Sequence, residues 1–383
     1  MSFRVRGQVA RRLIAWGLTG GVAGSTSDFG VYVHIPFCAS KCEYCAFATW
    51  TDRGHLVEAY LQALRIEIER AVAEELTTAD TVFVGGGTPT LVPPAALADM
   101  IASIPVADDA EITVECNPDD VTVDMLDIYR AAGVNRVSLG VQSMSAHVLV
   151  ALGRTHDQRN VERAVDAIKA SGMPSFNLDL IYGAAGESVD DWRGTVEAAL
   201  AFEPPHISAY GLTVEAGTPL ASQPDRHPDD DDQADKYELA DDLLAAAGLA
   251  NYEVSNWARP GHESRHNFLY WNQDDYRGFG CAAHSHSAGR RWWNLRTPDR
   301  YIEAICAGAS VEASSETLDA GTRRFEALQL AMRTRDGVPR NSFLPETLTL
   351  LEGMVIAHPA DRDRVVLTRS GRLMANDISL RFR

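Results

Sequence analysis

The sequence predicts an α/β protein, an incomplete (β/α)6 barrel followed by a C-terminal α-rich, winged-helix-like domain. Three observations carry this. Short apolar, β-branched runs alternate with longer stretches of helical spacing over the first two thirds of the chain. Each run ends in polar or glycine-rich punctuation. The alternation then stops after Glu215. A doubly wound open sheet shares the first two features and is the rival architecture.

The strand-like runs are Gly30–Phe37, Thr81–Pro89, Glu111–Pro118, Arg136–Ser143, Ser175–Gly183 and His206–Val214. Near-continuous apolar character suits parallel strands covered on both faces. Helical segments are expected at Leu56–Leu76, Pro94–Ile104, Val123–Ala132, Gln158–Ala170 and Val189–Phe202. The first is clearest, with Leu56, Tyr60, Leu61, Leu64 and Ile68 on one face. In such folds chemistry sits at the C-terminal ends of the strands, where the cysteines, GGGTP, ECNP, VQS, LDLIYG and AYGLT fall.

An acidic run, "HPDDDDQ", reads as a solvated loop and helix start, because carboxylates suit the positive end of a helix. An aromatic-rich stretch follows, through "HNFLYWNQ" to "RRWWN". The tail "DRVVLTRSGRLMANDISLRF" reads as a strand, a turn at Ser370-Gly371 and a final helix. The expected division is a disordered leader at 1–29, a partial barrel at 30–217, a barrel-closing region with HNxxYW at 218–310, and an α-rich domain at 311–383.

The formal net charge of −18 argues against a broad nucleic-acid surface, though not against a small basic patch. No apolar run reaches the length of a membrane span. Paired arginines in "RRLIAWGLTGGVAGSTS" raise an export signal, but the apolar part is short and broken by glycines. The expected location is the cytoplasm. Six cysteines in 383 residues are sparse, as in a reducing compartment. Cys116, Cys281 and Cys306 are scattered and read as buried residues.

Cys38, Cys42 and Cys45 stand apart as C-x3-C-x2-C on a loop directly after a strand. Three thiolates can hold one metal or three corners of a cubane. A closed zinc site wants a fourth ligand, and His34 is awkwardly placed while His55 is nearby. Spacing alone leaves cluster, zinc and free thiols open.

The C-x3-C-x2-C loop, with Tyr44 before its last cysteine, resembles the radical S-adenosylmethionine (SAM) superfamily. "YVHIPFC", "GGGTPT", "ECNPDD", "GVNRVSLGVQS", "LGRTH" and "NLDLIYG" occur in order. Together they resemble the branch holding oxygen-independent coproporphyrinogen oxidase (HemN) and the heme chaperone HemW. The resemblance runs from about residue 30 to near the end of the chain. It implies a [4Fe–4S] cluster on Cys38, Cys42 and Cys45, with SAM on the open iron. It implies SAM contacts from Tyr32, Tyr44, Gly86, Gly87, Thr88, Glu115, Gln142, Arg154, Asp179 and Gly211. Glycines at 86 and 87 suit close backbone approach to a ligand. Glu115 is suited to accept from ribose hydroxyls or an amino group.

Two positions choose within the branch. The oxidase type carries another cysteine two residues after the third, where this chain has Phe47. "HNFLYW" matches the HNxxYW pattern of the chaperone type. It offers His266 to heme iron, and Tyr270 and Trp271 to the macrocycle. His284 and His286 in "GCAAHSHS" are further imidazoles. Ala46 departs from the acidic residue usual after the third cysteine, so a hydrogen bond near the cluster is expected to be missing. The expectation is a cytoplasmic chaperone binding a [4Fe–4S] cluster, SAM and heme, and passing heme to hemoproteins, membrane-associated ones among them. Coproporphyrinogen III oxidation and a zinc-stabilised interaction protein are the alternatives. Homodimerisation is compatible with the sequence.

Overall fold

The computed structural model describes residues 28–382. Most of the expected leader lies outside those residues. The six runs become parallel strands β1 (Phe29–Ile35), β2 (Ala79–Gly86), β3 (Val106–Cys116), β4 (Arg136–Gln142), β5 (Ser175–Tyr182) and β6 (His206–Gly211). Helices α1 (Val57–Ala73), α2 (Pro94–Ala102), α3 (Val123–Ala131), α4 (Ala146–Ala151), α5 (Gln158–Ala170) and α6 (Val189–Ala201) alternate with them. Helix starts follow side-chain chemistry. Thr122 caps α3, while Asp157 and Ser188 form capping boxes on α5 and α6.

The two faces of this sheet differ sharply. Val31, Val33, Ile35, Val82, Val84, Val114, Val137, Leu139, Leu178 and Leu180 are wholly buried in the main core on one face. Alternate residues point the other way: Tyr32, His34, Phe83, Glu115, Ser138, Asn177, Asp179 and Ser208. The apolar face holds the fold, and the polar, aromatic face is left for chemistry.

The sheet is not closed into a barrel. It runs through twelve strands in the order β12-β11-β10-β9-β1-β2-β3-β4-β5-β6-β8-β7. Antiparallel β7 (Ala250–Glu253) and β8 (Asn256–Ala258) extend it beyond β6. On the other side β9 (Asp275–Phe279) lies parallel to β1, followed by antiparallel β10 (His284–Ser287), β11 (Arg290–Asn294) and β12 (Glu312–Thr317). The acidic run does begin a helix, α7 (Asp230–Ala246), capped by Asp229. The HNxxYW pattern lies on α8 (Arg265–Asn272), capped by Ser264.

The C-terminal segment builds a second small core from Met332, Val338, Phe343, Leu351, Val365, Ile378 and Phe382. A three-stranded sheet accompanies its short helices. Arg369 and Arg372 clamp it to Asp241 of α7 at 2.6 and 2.7 Å. Two expectations need correction. Ser370-Gly371 is not a turn but lies inside a short helix, Arg369–Leu373, capped by the Thr368 hydroxyl. Gly371 serves packing instead, since a side chain there would strike the Met354 carbonyl. Cys306 ends the helix Pro298–Cys306 at an exposed position and is not buried.

Candidate functional site

The cysteine loop leaves the C-terminal end of β1 and is closed at its neck. The Cys38 N–H donates to Trp50 O at 3.1 Å, and the Trp50 N–H to Pro36 O at 2.8 Å. A tight turn follows, with Cys45 N–H on Cys42 O at 3.2 Å. Arg226 pairs with Glu43 and donates to Ala151 O at 2.6 Å, tying the loop to α4. Cys38, Cys42 and Cys45 are half-buried free thiols. Burial pushes the Cys38 and Cys45 thiols up, and the charge of Cys42 adds to both.

Polar hydrogens converge on this trio. The Thr88 hydroxyl donates toward Cys38 Sγ at 3.7 Å, and Arg154 Nη1 toward Cys42 Sγ at 3.9 Å. Thr49 adds a hydroxyl near Cys38 and Cys45. Ala46 and Phe47 are exposed, Phe47 at 66%.

The GGGTP turn at the end of β2 docks on the same neck. Gly87 N–H donates to Ile35 O at 2.7 Å and Thr88 N–H to Phe37 O at 2.8 Å. Gly86 has φ +113°, and a side chain there would strike the His34 ring; one on Gly87 would strike Phe37 O. The glycines are therefore needed to seat the turn against β1. Gly86 also donates its N–H to Glu115 Oε2 at 3.0 Å. Burial, and next the Asp179 charge, push the Glu115 carboxyl up to about 7.

Gln142 ends β4 at a bulge with φ +64°, a strained conformation for a residue other than glycine. Arg154 spans the rim. Its Nη2 donates to Gly140 O at 3.2 Å and reaches Asn117 Oδ1 at 3.5 Å. Asp179 stands at the end of a polar chain crossing the concave face. Ser264 N–H donates to Tyr252, whose hydroxyl meets His206 Nε2 at 2.8 Å. His206 Nδ1–H donates to Asn177 Oδ1, and Asn177 Nδ2 serves Ser138 and Asp179. Ser138 completes the chain with a 2.7 Å bond to Asp179 Oδ2. Gly211, ending β6, faces the Tyr182 hydroxyl, where a side chain would crowd it.

Tyr32 lies on the same face, hydrogen-bonded to His34 Nδ1 at 3.0 Å and stacked near Phe83. His34 Nε2 reaches Ala48 O at 2.9 Å, so both its ring nitrogens are engaged. His266 is buried beneath this wall. Its Nδ1 meets Thr81 Oγ1 at 2.7 Å and its Nε2 meets Tyr270 at 2.9 Å. Its ring stacks on Phe83, and burial holds its pKa near 3, far below the ordinary value. In this arrangement neither His266 nitrogen is free for iron. Tyr270 packs edge-on to Tyr276, and Trp271 buries an indole N–H with no partner among the described residues.

Three free thiols on one loop, with a hydroxyl and a guanidinium directed at them, fit a cluster. Among the described residues no three His, Cys, Asp or Glu side chains converge on one ion position. A cubane binds each thiolate to a different iron and so wants them spread. The hydroxyls and guanidinium around the thiols suit a negatively charged group. Asn117, Thr49 and Phe83 were not singled out from sequence, and His34 was weighed there only as a zinc ligand. Asn117 and Thr49 adjoin quoted motifs, whereas Phe83 becomes visible only through strand register.

A profile of the radical SAM superfamily matches residues 32–199. The chain is 41% identical over 367 residues to a Mycobacterium tuberculosis protein named heme chaperone HemW, covering 91% of this chain and 93% of that one. It is 38% identical to the Escherichia coli heme chaperone HemW, covering 83% and 85%. The solved structure of E. coli coproporphyrinogen III oxidase HemN superposes with a TM-score of 0.78, covering 92% of this chain and 89% of that one, at 22% identity.

Proposed function

This chain belongs to the HemW-type family of the radical SAM superfamily, and from that premise we propose that it is a heme chaperone. Cys38, Cys42 and Cys45 would hold the [4Fe–4S] cluster. When bound, the cluster and SAM supply one-electron reductive cleavage of a sulfonium C–S bond. Thr88, Thr49 and Arg154 stabilise negative charge on the thiolates. Glu115, with one oxygen engaged by Gly86, accepts from an amino or hydroxyl group of SAM with the other. Asp179, preset by Ser138 and Asn177, orients a second polar group. Heme is the cargo, received on the aromatic side of the concave face and handed to an acceptor hemoprotein. The site of action is proposed to be the cytoplasm; among the described residues no helix is long and apolar enough to cross a membrane.

The observation that carries this reading is the thiol trio with donors aimed at it, ending in exposed Phe47 where an oxidase would have another thiol. Anaerobic reconstitution tests it, with heme titration, transfer to an apo-hemoprotein, and a coproporphyrinogen assay run in parallel. Stoichiometric heme binding and transfer without decarboxylation is expected. Decarboxylation of coproporphyrinogen III at catalytic turnover would overturn the reading.

A further inference from the structure

The floor of the concave face, at the end of the strands opposite the cysteine loop, holds a buried cation without a counter-charge. Arg136 is the first residue of β4 and only 3% exposed. Thr113, its partner across β3, is wholly buried. Strand alternation puts both on the face of Glu115 and Ser138. Among the described residues, Arg136 Nε, Arg136 Nη2 and the Thr113 hydroxyl have no hydrogen-bond partner. Two carboxylates share this face, and both are spent elsewhere. Glu111 accepts from the Arg265 and His266 N–H groups, both at 3.2 Å. Asp179 accepts from Ser138 at 2.7 Å and from Asn177 at 2.8 Å.

The Arg136 charge reaches Asp179, His206 and Tyr252, which sets the guanidinium beside the polar chain that crosses this face. Burial first, and the Arg136 charge next, push the His206 pKa far down, so that imidazole adds no second positive charge. Desolvating a guanidinium is costly unless an opposite charge meets it. The two unpartnered groups, Nε and Nη2, form one edge of the guanidinium. Their N–H bonds run parallel, the geometry that grips both oxygens of a carboxylate. The Thr113 hydroxyl is a further donor.

We propose that Arg136 and Thr113 form a carboxylate-binding site on the floor of the concave face, filled by a propionate of the heme cargo or by a free small carboxylate. The site holds a carboxylate edge and takes no part in ligating iron. Its propionate source rests on the heme-binding reading above; the site itself does not.

Ferric heme and its dimethyl ester, in which both propionates are capped, titrated into the full chain test the first source. Wild type should bind heme about tenfold or more tighter than the diester. R136M should bind heme no tighter than the diester, bind the diester as wild type does, and melt no lower than wild type, since it removes an unpaired buried charge. Acetate, against sodium chloride at equal ionic strength, tests the second source. A melting temperature raised by acetate in wild type and not in R136M, without discrimination between heme and diester, identifies a free carboxylate. A folded R136M that keeps both the discrimination and the acetate response overturns the site, as does a wild type that shows neither. Absence of heme binding in wild type overturns the chaperone reading alone, and the acetate comparison then decides the site.

Discussion

The cysteine loop and the HNxxYW helix both stand out in the sequence, yet the structure uses their side chains in opposite ways. In the loop the distinctive residues are half-buried, make few internal bonds, and have polar hydrogens aimed at them. In the helix the distinctive histidine is buried and saturated, with Thr81 on one nitrogen and Tyr270 on the other. A motif's letters do not say whether they serve a ligand or the wall behind it. The hydrogen-bond state of each side chain adds what the letters lack, because a group already satisfied in the core must break those bonds before it can bind anything.

The largest expected effect sharpens that contrast. The triple variant C38A/C42A/C45A should lose the iron–sulfur chromophore entirely while its melting curve without cluster stays close to wild type, as absorption and calorimetry will show. Retained iron and sulfide would break the comparison from the loop side. H266A should do the reverse. Losing two buried hydrogen bonds and a stacked ring should cost about 2–4 kcal/mol in denaturant unfolding, with cluster content per folded chain unchanged.

A smaller effect concerns pH. The Glu115 carboxyl is held up, near 7, in the folded chain, against about 4.3 when unfolded. The folded state thus binds the proton more tightly. Stability of the ligand-free protein should fall as pH rises from about 4.3 to about 7. E115Q should flatten that slope, measured as denaturant midpoint against pH, and should weaken SAM binding. A slope unchanged in E115Q would contradict the role of its burial. The smallest effect is expected at His284, where H284A should shift unfolding by no more than about 0.5 kcal/mol. Set beside H266A, that pair of stabilities separates an exposed imidazole from a buried one.

The contrast also marks how far the sequence could be read. The six parallel strands were legible because each is a short run rich in β-branched and apolar residues that ends in polar or glycine-rich punctuation, and Gln158–Ala170 is a helix over those same residues. The strands β7 to β12 were not, because they are short and irregular in composition, and they join the sheet through the long-range pairs β6–β8 and β1–β9. The turn expected at Ser370-Gly371 failed because Thr368 caps a helix there, and Gly371 is required by the Met354 backbone rather than by a bend. At the site, residues close in sequence to the cysteines were readable. Glu115 and Asp179 entered through resemblance, and their shared face follows from strand register. The satisfied state of His266 depends on Thr81, far away in the chain, which no local pattern reports.

The central claim is that Cys38, Cys42 and Cys45 carry a cluster with one iron open to SAM. Electron paramagnetic resonance of the anaerobically reconstituted, reduced protein, recorded with and without SAM, tests it most directly. A [4Fe–4S] signal that changes shape when SAM is added is the predicted result. A signal indifferent to SAM, or a protein that carries zinc and no cluster, would contradict it.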